Sequence, residues 1–320
     1  MRILITGASG FIGTNLLEYF NKKGYQILNV DIQEPKNREQ YDFWKQVDIT
    51  NYEELKSVVM DYQPEYIVHL AARTDLDGKS INDYAANIIG VKNLLDIVKE
   101  LPKLKKILIA SSKFVTRNGY EIKNQYDYCP HTIYGESKVE TEKIVWASEL
   151  SCDWCIIRPT SIWGPWFGIP YRNFFDMVMR RMYFHIGRKK CYKTYGYIGN
   201  ALYQIEQLLF NETLDLNNKV FYIGDEPAYE INEWADEIAN ELGYKVPTVP
   251  IWMVWLLAKF GDFLGIFGIH FPMQSFRFHN MTNDGINNMN NTYVIAPDNP
   301  YTRLEGTKIT IKWIEEHERK

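Results

Sequence analysis

Cysteine is scarce in this chain: four in 320 residues, at Cys129, Cys152, Cys155 and Cys191. Cys152 and Cys155 form a C-x-x-C, but zinc needs two more ligands at matching spacing and none stand there. Cys155 instead opens the apolar run Cys155-Ile156-Ile157, which reads as a buried strand. No metal is expected. No lysine- or arginine-rich tract exists either, and the net charge is −4, so nucleic acid is not an expected partner. Also missing is an uninterrupted apolar run of about 20 residues, the length a membrane span requires. The nearest approach is Val249 to Phe271, with Trp252, Trp255, Phe260, Phe263 and Phe267. Lys259, Asp262 and three glycines break it, Pro250 stands at its start and Pro272 follows it. It reads as one or two short helices packing a broad apolar face against the rest of the chain or a second copy, with no membrane partner expected. Free thiols and the lack of a secretory leader point to the cytoplasm.

Apolar residues make up 46% of the chain, ample for a large core, so its length allows one large or two moderate domains. Strand-like segments at 2–6, 25–30, 65–70, 105–110 and 154–158 alternate with helix-like ones at 11–23, 51–61, 80–100 and 131–150. Alternation of this kind implies an α/β fold, a doubly wound parallel sheet covered on both faces. After Pro159 the rhythm changes. A loop rich in glycine, proline and aromatics over 160–172 leads into a mixed region. Helices are predicted there at 171–184, 199–210, 231–242 and 303–318, and strands at 191–198 and 219–223. Residues 1–160 read as a Rossmann-type domain whose sheet is completed by segments from 191–230. Residues 161–320 read mainly as a smaller substrate-binding part, and the cleft is expected between the two.

The first strand runs directly into Gly7-Ala8-Ser9-Gly10-Phe11-Ile12-Gly13. Gly7 permits the tight turn, Gly10 lets the backbone approach a pyrophosphate, and Gly13 lets the following helix pack on the strand. That helix then offers unpaired N–H groups to the phosphates. The second strand ends at Asp31, about 20 residues on, where a carboxylate suits the adenosine ribose hydroxyls. It would repel a 2′-phosphate, so NAD is expected over NADP, with Arg38 the residue that keeps NADP open. Asp48, with Ile49 beside it, stands where it could meet the adenine edge or simply cap the next helix.

Tyr134 and Lys138 are spaced i, i+4 on one helix face. An ordinary phenol, with a pKa near 10, is a poor base at neutral pH. A nearby ammonium and a cationic nicotinamide favour its phenolate form. Tyr134 is therefore expected to remove a hydroxyl proton as hydride leaves, with Lys138 also holding the nicotinamide ribose. Strand 105–110 runs into Ser111-Ser112, and Ser112 is placed to hydrogen-bond the reacting oxygen.

With these segments the chain resembles the extended short-chain dehydrogenase/reductase family, also called the NAD-dependent epimerase/dehydratase family. Its signposts here are Gly7-x-x-Gly10-x-x-Gly13, Asp31, His69-Leu70-Ala71-Ala72, Asn87, Ser111-Ser112, Tyr134-x-x-x-Lys138, Arg158-Pro159, Trp163-Gly164-Pro165 and Tyr222-Ile223-Gly224. The resemblance implies that Phe11 and Ile12 line the pyrophosphate turn and that Leu70, Ala71 and Ala72 wall the cofactor. It implies that Asn87 supports the helix near the active site and that Pro159 lies beside the nicotinamide.

Departures from the family pattern bear on the reaction. Where 4,6-dehydratases of the family carry Asp-Glu after the active-site hydroxyl, this chain has Lys113-Phe114, which supply neither that acid nor that base. Dehydration is disfavoured. Ser161 replaces a common asparagine, and Tyr197-Ile198-Gly199-Asn200 replaces a Val-Asp-Asp segment. Two functions are carried forward. One is epimerisation (or related reduction) of a sugar nucleotide, with Arg73, Lys113, Ser161, Arg172, Asn173, Arg188 and Lys193 as candidate substrate contacts and Arg180 and Arg181 nearby. Arginine suits that work because its fork pairs two phosphate oxygens at once. The other is an NAD(P)-dependent dehydrogenase of an apolar alcohol or ketone, steroid-like or phenylpropanoid-like, suggested by the aromatic segment 251–278. A homodimer is expected from the resemblance and from the apolar faces of 80–100 and 131–150.

Overall fold

A computed structural model describes residues 1–269, 271 and 273–318; Pro272, which marked the end of the aromatic segment, lies outside the described residues. The alternation in sequence becomes a single seven-stranded sheet. Strands β1 (Arg2–Thr6), β2 (Gln26–Asp31), β3 (Trp44–Gln46), β4 (Tyr66–His69), β5 (Lys106–Ala110) and β6 (Asp153–Pro159) are joined by a last strand, Lys219–Ile223. Their order across the sheet is β3-β2-β1-β4-β5-β6 and then Lys219–Ile223. Every neighbouring pair is parallel. Strand order reverses between β1 and β4, and the crevice outside the carboxyl ends at such a point is where ligands bind. Gly7 follows β1 there and Leu70 follows β4.

Burial on both faces explains why the strands carry no alternation of apolar and polar residues. Ile3 and Ile5 enter one core cluster while Leu4 enters the other. Likewise Leu108 and Ala110 face one side of β5, and Ile107 and Ile109 the other. Each fully buried Ile or Leu contributes about 1.5–3 kcal/mol relative to exposure. Helices α1 (Phe11–Lys22), α2 (Tyr52–Tyr62), α3 (Val91–Val98), α4 (Ile133–Trp146), α5 (Arg172–Met179) and α6 (Ile198–Phe210) follow in chain order. Beyond the sheet come α7 (Ile231–Glu241), α8 (Ile251–Ile266), α9 (Ser275–Thr282), α10 (Asn290–Ile295) and α11 (Arg303–Glu318). Much of the aromatic content of this half forms one cluster: Trp163 stacks obliquely on Trp234 at 4.9 Å and on Phe175 at 5.5 Å.

Four expectations change. The helix read over 80–100 is interrupted: a tight turn at Ile81–Tyr84 and a π-turn at Ala86–Gly90 precede α3. The wide turn carries Asn87, whose side chain bonds the chain after β4, and such turns favour functional sites. The strand read over 191–198 divides into Tyr192–Lys193 and Tyr195–Tyr197. These pair with Tyr229–Glu230 and with Ser161–Trp163, not with the central sheet. The apolar faces of 80–100 and 131–150 are mostly used inside the chain; of their large apolar residues, Ile89 alone is exposed among the described residues. Finally, the aromatic segment forms the single helix α8, but it does not pack broadly on the chain. Only Val254, Ala258 and Gly261 of α8 are buried. A narrow strip of small contacts suffices to seat the helix, so its large side chains are left outside.

Candidate active site

The glycine turn is built for close approach. A Cβ on Gly7, whose φ is +73°, would lie 2.5 Å from the Ala71 nitrogen, and one on Gly13 would lie 2.4 Å from the Gly7 oxygen. Neither fits. Gly10 caps α1 without a side-chain hydrogen bond, and no acid stands in the first turn, so the helix start is suited to an anion. Phe11 and Ile12 begin that helix. Asp31 closes the turn from β2, its Oδ2 accepting from the Ser9 N–H at 3.0 Å and its Oδ1 from the Gln33 N–H at 2.9 Å. Burial raises its pKa and these hydrogen bonds oppose the rise. Lys36, a residue the sequence reading passed over, lies beside this carboxylate, whose charge opposes the lowering that burial imposes on the lysine. Arg38 lies instead beside Tyr41.

Asp48 is exposed, and its carboxylate accepts from the Thr50 N–H and hydroxyl, both at 2.8 Å. That is turn-capping geometry. Ile49 is buried in the core cluster that holds Leu4 and Ile67. Leu70, Ala71 and Ala72 follow β4, and the Leu70 N–H donates to the Thr6 carbonyl at 3.0 Å, which brings this wall against the glycine turn. Ser111 is buried just after β5, and its hydroxyl has no hydrogen-bond partner among the described residues. Pro159 ends β6 in register with Ile223. An uncapped helix start, a cradle closed to side chains, a carboxylate at the end of β2 and an orphan hydroxyl together fit a dinucleotide.

The catalytic candidates meet one strand further along. Thr132 caps α4 by accepting from the Gly135 N–H at 3.0 Å, which fixes the first turn carrying Tyr134. Ser112 stands beside the Tyr134 phenol and favours its ionised form. Burial pushes the Tyr134 pKa up to about 12, and Ser112 only partly offsets this. Lys138 donates to the Ala110 carbonyl at 2.9 Å, and burial brings its pKa down to about 8. The expected lowering of the phenol by Lys138 is therefore not present in the chain alone; desolvation prevails because both groups are buried in apolar surroundings. His69, buried beneath, is held neutral: burial first and the Lys138 charge second bring its pKa down to about 3. Its Nδ1 bonds the Thr6 hydroxyl at 2.7 Å.

Asn87 ties the wall after β4 to α4. Its Oδ1 accepts from the Arg73 N–H at 2.8 Å, and its amide donates to the Arg73 carbonyl at 3.0 Å and to Ser137 Oγ at 2.9 Å. Ser137 in turn donates to the Tyr134 carbonyl at 2.7 Å. The arrangement sets the helix that carries the phenol relative to the cofactor wall.

The substrate candidates separate into two groups. Lys113 and Ser161 come together, Lys113 Nζ donating to Ser161 Oγ at 2.6 Å, and the charge of Lys193 reaches Lys113. Burial and then Lys193 bring the Lys113 pKa down to about 8. Tyr171, for which the sequence held no signal, stands between Ser161 and Tyr134, close enough for each to bear on the ionisation of its neighbour. Phe114 and Tyr84 flank the phenol with ring centroids 5.9 Å and 6.0 Å away. The remaining candidates lie apart or are engaged. Arg73 pairs with Asp75 at 2.8 Å and Arg172 with Asp176 at 2.9 Å. Asn173 and Arg188 are exposed, as are Arg180 and Arg181.

A sequence profile of the NAD dependent epimerase/dehydratase family matches residues 3–204. The chain belongs to that family. Among its relatives is 3-beta-hydroxysteroid dehydrogenase of Mycolicibacterium neoaurum, 26% identical over 78% of this chain and 72% of the relative. Another is N-acetyl-alpha-D-glucosaminyl-diphospho-ditrans,octacis-undecaprenol 4-epimerase of Escherichia coli O157:H7, 25% identical over 77% of this chain and 74% of the relative. The fold is that of the crystallised Bordetella bronchiseptica enzyme WbmG in complex with NAD. That likeness has a TM-score of 0.74 and 20% identity over 99% of this chain and 94% of that one. Family membership and the fit of the cradle agree on NAD as the cofactor.

Replacing Asp31 by serine tests the adenosine end. The variant should bind NADH roughly 10- to 100-fold more weakly, the loss of a charged hydrogen-bonding partner. NADPH should bind more tightly, because Lys36 is then released from its carboxylate neighbour. Fluorescence titration with both cofactors measures the ratio; an unchanged NADH/NADPH preference would remove Asp31 from the cofactor site.

Proposed function

We propose that the chain is an NAD-dependent epimerase of a sugar carried on a nucleoside diphosphate. The observation that carries this reading is a pair of neighbouring lysines beside the catalytic candidates. Half-buried Lys113 donates to Ser161 Oγ at 2.6 Å, and the charge acting on it is that of Lys193. Two neighbouring ammonium groups favour a substrate with an anionic group over a wholly apolar one, since an arriving anion offsets the desolvation of Lys113. The same lysine and Phe114 stand where a 4,6-dehydratase would need an acid and a base.

Bound NAD supplies reversible hydride acceptance at a carbinol carbon. In this scheme Ser112 holds the substrate oxygen and Tyr134 takes its proton as the carbonyl forms. After the keto sugar turns, Tyr134 would return that proton to the same oxygen. Proton and hydride are both restored, so no net cofactor change occurs. Lys138 holds the ribose and favours the phenolate once its ammonium faces Tyr134.

The first test is thermal shift of the NAD-saturated protein with UDP, GDP, dTDP, CDP and their sugar conjugates. A ligand at one hundred times its dissociation constant stabilises the fold by about 2.7 kcal/mol. A rise with one base is expected, and no rise with any of them overturns the reading. With the substrate in hand, Lys113→Met should raise KM at least tenfold while changing kcat less. An unchanged KM would remove the anion-binding role. A second reading, dehydrogenation of an apolar alcohol or ketone, is favoured by the similarity to a steroid dehydrogenase and by the aromatic flanks of Tyr134. Net NADH formation with such an alcohol would decide for it.

A further inference from the structure

We propose that α8 is a bilayer-docking element, lying in the interface of an anionic lipid membrane. The helix is seated on the protein by Val254, Ala258 and Gly261, spaced i, i+4 and i+7 on one narrow strip. Beneath them are Ile186 and Phe278. At 100° per residue these three occupy an arc of roughly 60°. Opposite them an arc of roughly 140° carries no charge at all. It holds Trp252, Met253, Leu256, Leu257, Phe260 and Phe263, all exposed; Trp252 is 61% and Phe263 55% accessible. Ile266 at the last helical position and Phe267 just beyond it extend the exposed apolar surface, at 78% and 66%. Isolated exposed apolar residues need no explanation, but a contiguous face of this kind marks an interaction site.

Charge selects the occupant. The turn that precedes Lys193 runs Gly187-Arg188-Lys189-Lys190, with all three cations exposed. The Gly187 N–H donates to the Val249 carbonyl at 2.8 Å, and a Cβ on Gly187 would lie 3.5 Å from Ile251 Cβ, so the basic turn abuts the start of α8. Arg181 adds a further cation, set 5.2 Å over the Tyr244 ring. Glu233 pairs with Lys190 at 3.5 Å, which leaves Arg188 and Lys189 as the cations of the turn without an ion pair among the described residues; Asp236 bonds His185 at 2.9 Å, and Asp262 accepts from Ser275 at the margin of the seating strip. A cationic rim beside an apolar, tryptophan-bearing helix is the pairing that anionic headgroups and acyl chains accept together. No helix of the described residues is long and apolar enough to cross a membrane, and 16 residues reach about 24 Å against a hydrocarbon core of about 30 Å. The helix therefore lies in the plane of the interface. The docking surface stands independently of the substrate assigned above.

The experiment is co-sedimentation of the full chain with vesicles of phosphatidylcholine containing increasing phosphatidylglycerol, read together with tryptophan emission and acrylamide quenching. Binding should rise with phosphatidylglycerol, fall with salt and shift tryptophan emission to the blue. The double variant Phe260→Asp/Phe263→Asp should lose at least tenfold in vesicle affinity while keeping NADH affinity and melting temperature. Lys189→Glu should weaken binding to anionic vesicles alone. Wild-type protein that stays in the supernatant at every composition overturns the proposal. So does a double variant that changes only the sedimentation coefficient of the protein, which would assign the face to a second copy.

Discussion

Tyr134→Phe should lower turnover by about 10²- to 10⁴-fold, the usual range for loss of a positioned acid–base group. NADH affinity should change little, because the proposed cradle consists of the glycine turn, Asp31, the wall after β4 and Ser111, away from the phenol oxygen. Ser112 loses a polar neighbour, but the ring volume is kept, so the fold should hold. The pH profile carries the specific signature. Tyr134 is neutral in the chain alone, with its pKa pushed up to about 12 by burial. Alcohol oxidation needs its base form, so that rate should rise with pH across the neutral range. Lys138, brought down to about 8, loses its ammonium above that pH and withdraws the group that favours phenolate. The oxidative limb should therefore rise and then flatten or fall. Carbonyl reduction needs the protonated phenol, already present at neutral pH, and should show no rising limb. The phenylalanine variant should lose the rising limb along with the rate. If it kept wild-type turnover, or kept the limb at reduced rate, the proton would be carried by another group.

Arg158→Ala should destabilise the fold by about 3–5 kcal/mol, the cost of leaving one member of a buried ion pair without its partner. Arg158 is 1% and Glu142 0% exposed at the side chain. The guanidinium grips the carboxylate with both prongs, Nε to Oε1 at 2.8 Å and Nη2 to Oε2 at 2.7 Å. Its Nη2 also donates to the Gln125 carbonyl at 2.9 Å. Burial alone would lower the arginine's pKa, and Glu142 more than offsets this, so it stays charged. The pair fastens β6 to α4, the helix that holds Tyr134 and Lys138, so activity should fall together with stability. Urea unfolding of the single variants and of Arg158→Met/Glu142→Leu separates the causes. The double apolar replacement should recover most of the loss, because no uncompensated charge is left behind. A double variant as unstable as Arg158→Ala would mean that the lost hydrogen bond to Gln125, not the stranded carboxylate, sets the cost.

What the sequence determined by itself is local in origin. The strands of the sheet other than β3 were legible because runs such as Ile3-Leu4-Ile5 and Ile107-Leu108-Ile109 are apolar without alternation, as burial on both faces demands. Gly7, Gly10 and Gly13 were legible because only glycine suits a turn into a helix that a backbone must approach. Tyr134 and Lys138 were legible as a pair because four residues along a helix return to one face. Each of these signals is carried by neighbours in the chain. Trp44–Gln46 left no signal because three residues are too few to show a period; its pairing is dictated by the free edge of β2.

Tertiary structure decided everything that depends on which distant groups share a space. Lys113, Ser161, Lys193 and Tyr171 come from four separate segments, and nothing in their local spacing joins them. The same holds for Lys36 beside Asp31, where the sequence pointed to Arg38. The direction of the Tyr134 pKa was decided in the same way. The sequence supplies an ammonium four residues away, but burial from all sides sets the cost of charge, and in the chain alone that cost prevails. The fate of α8 shows the limit most plainly. Its composition states that the residues are apolar, but only the packing reveals that Val254, Ala258 and Gly261 use up the contact with the protein and leave the aromatic face outward.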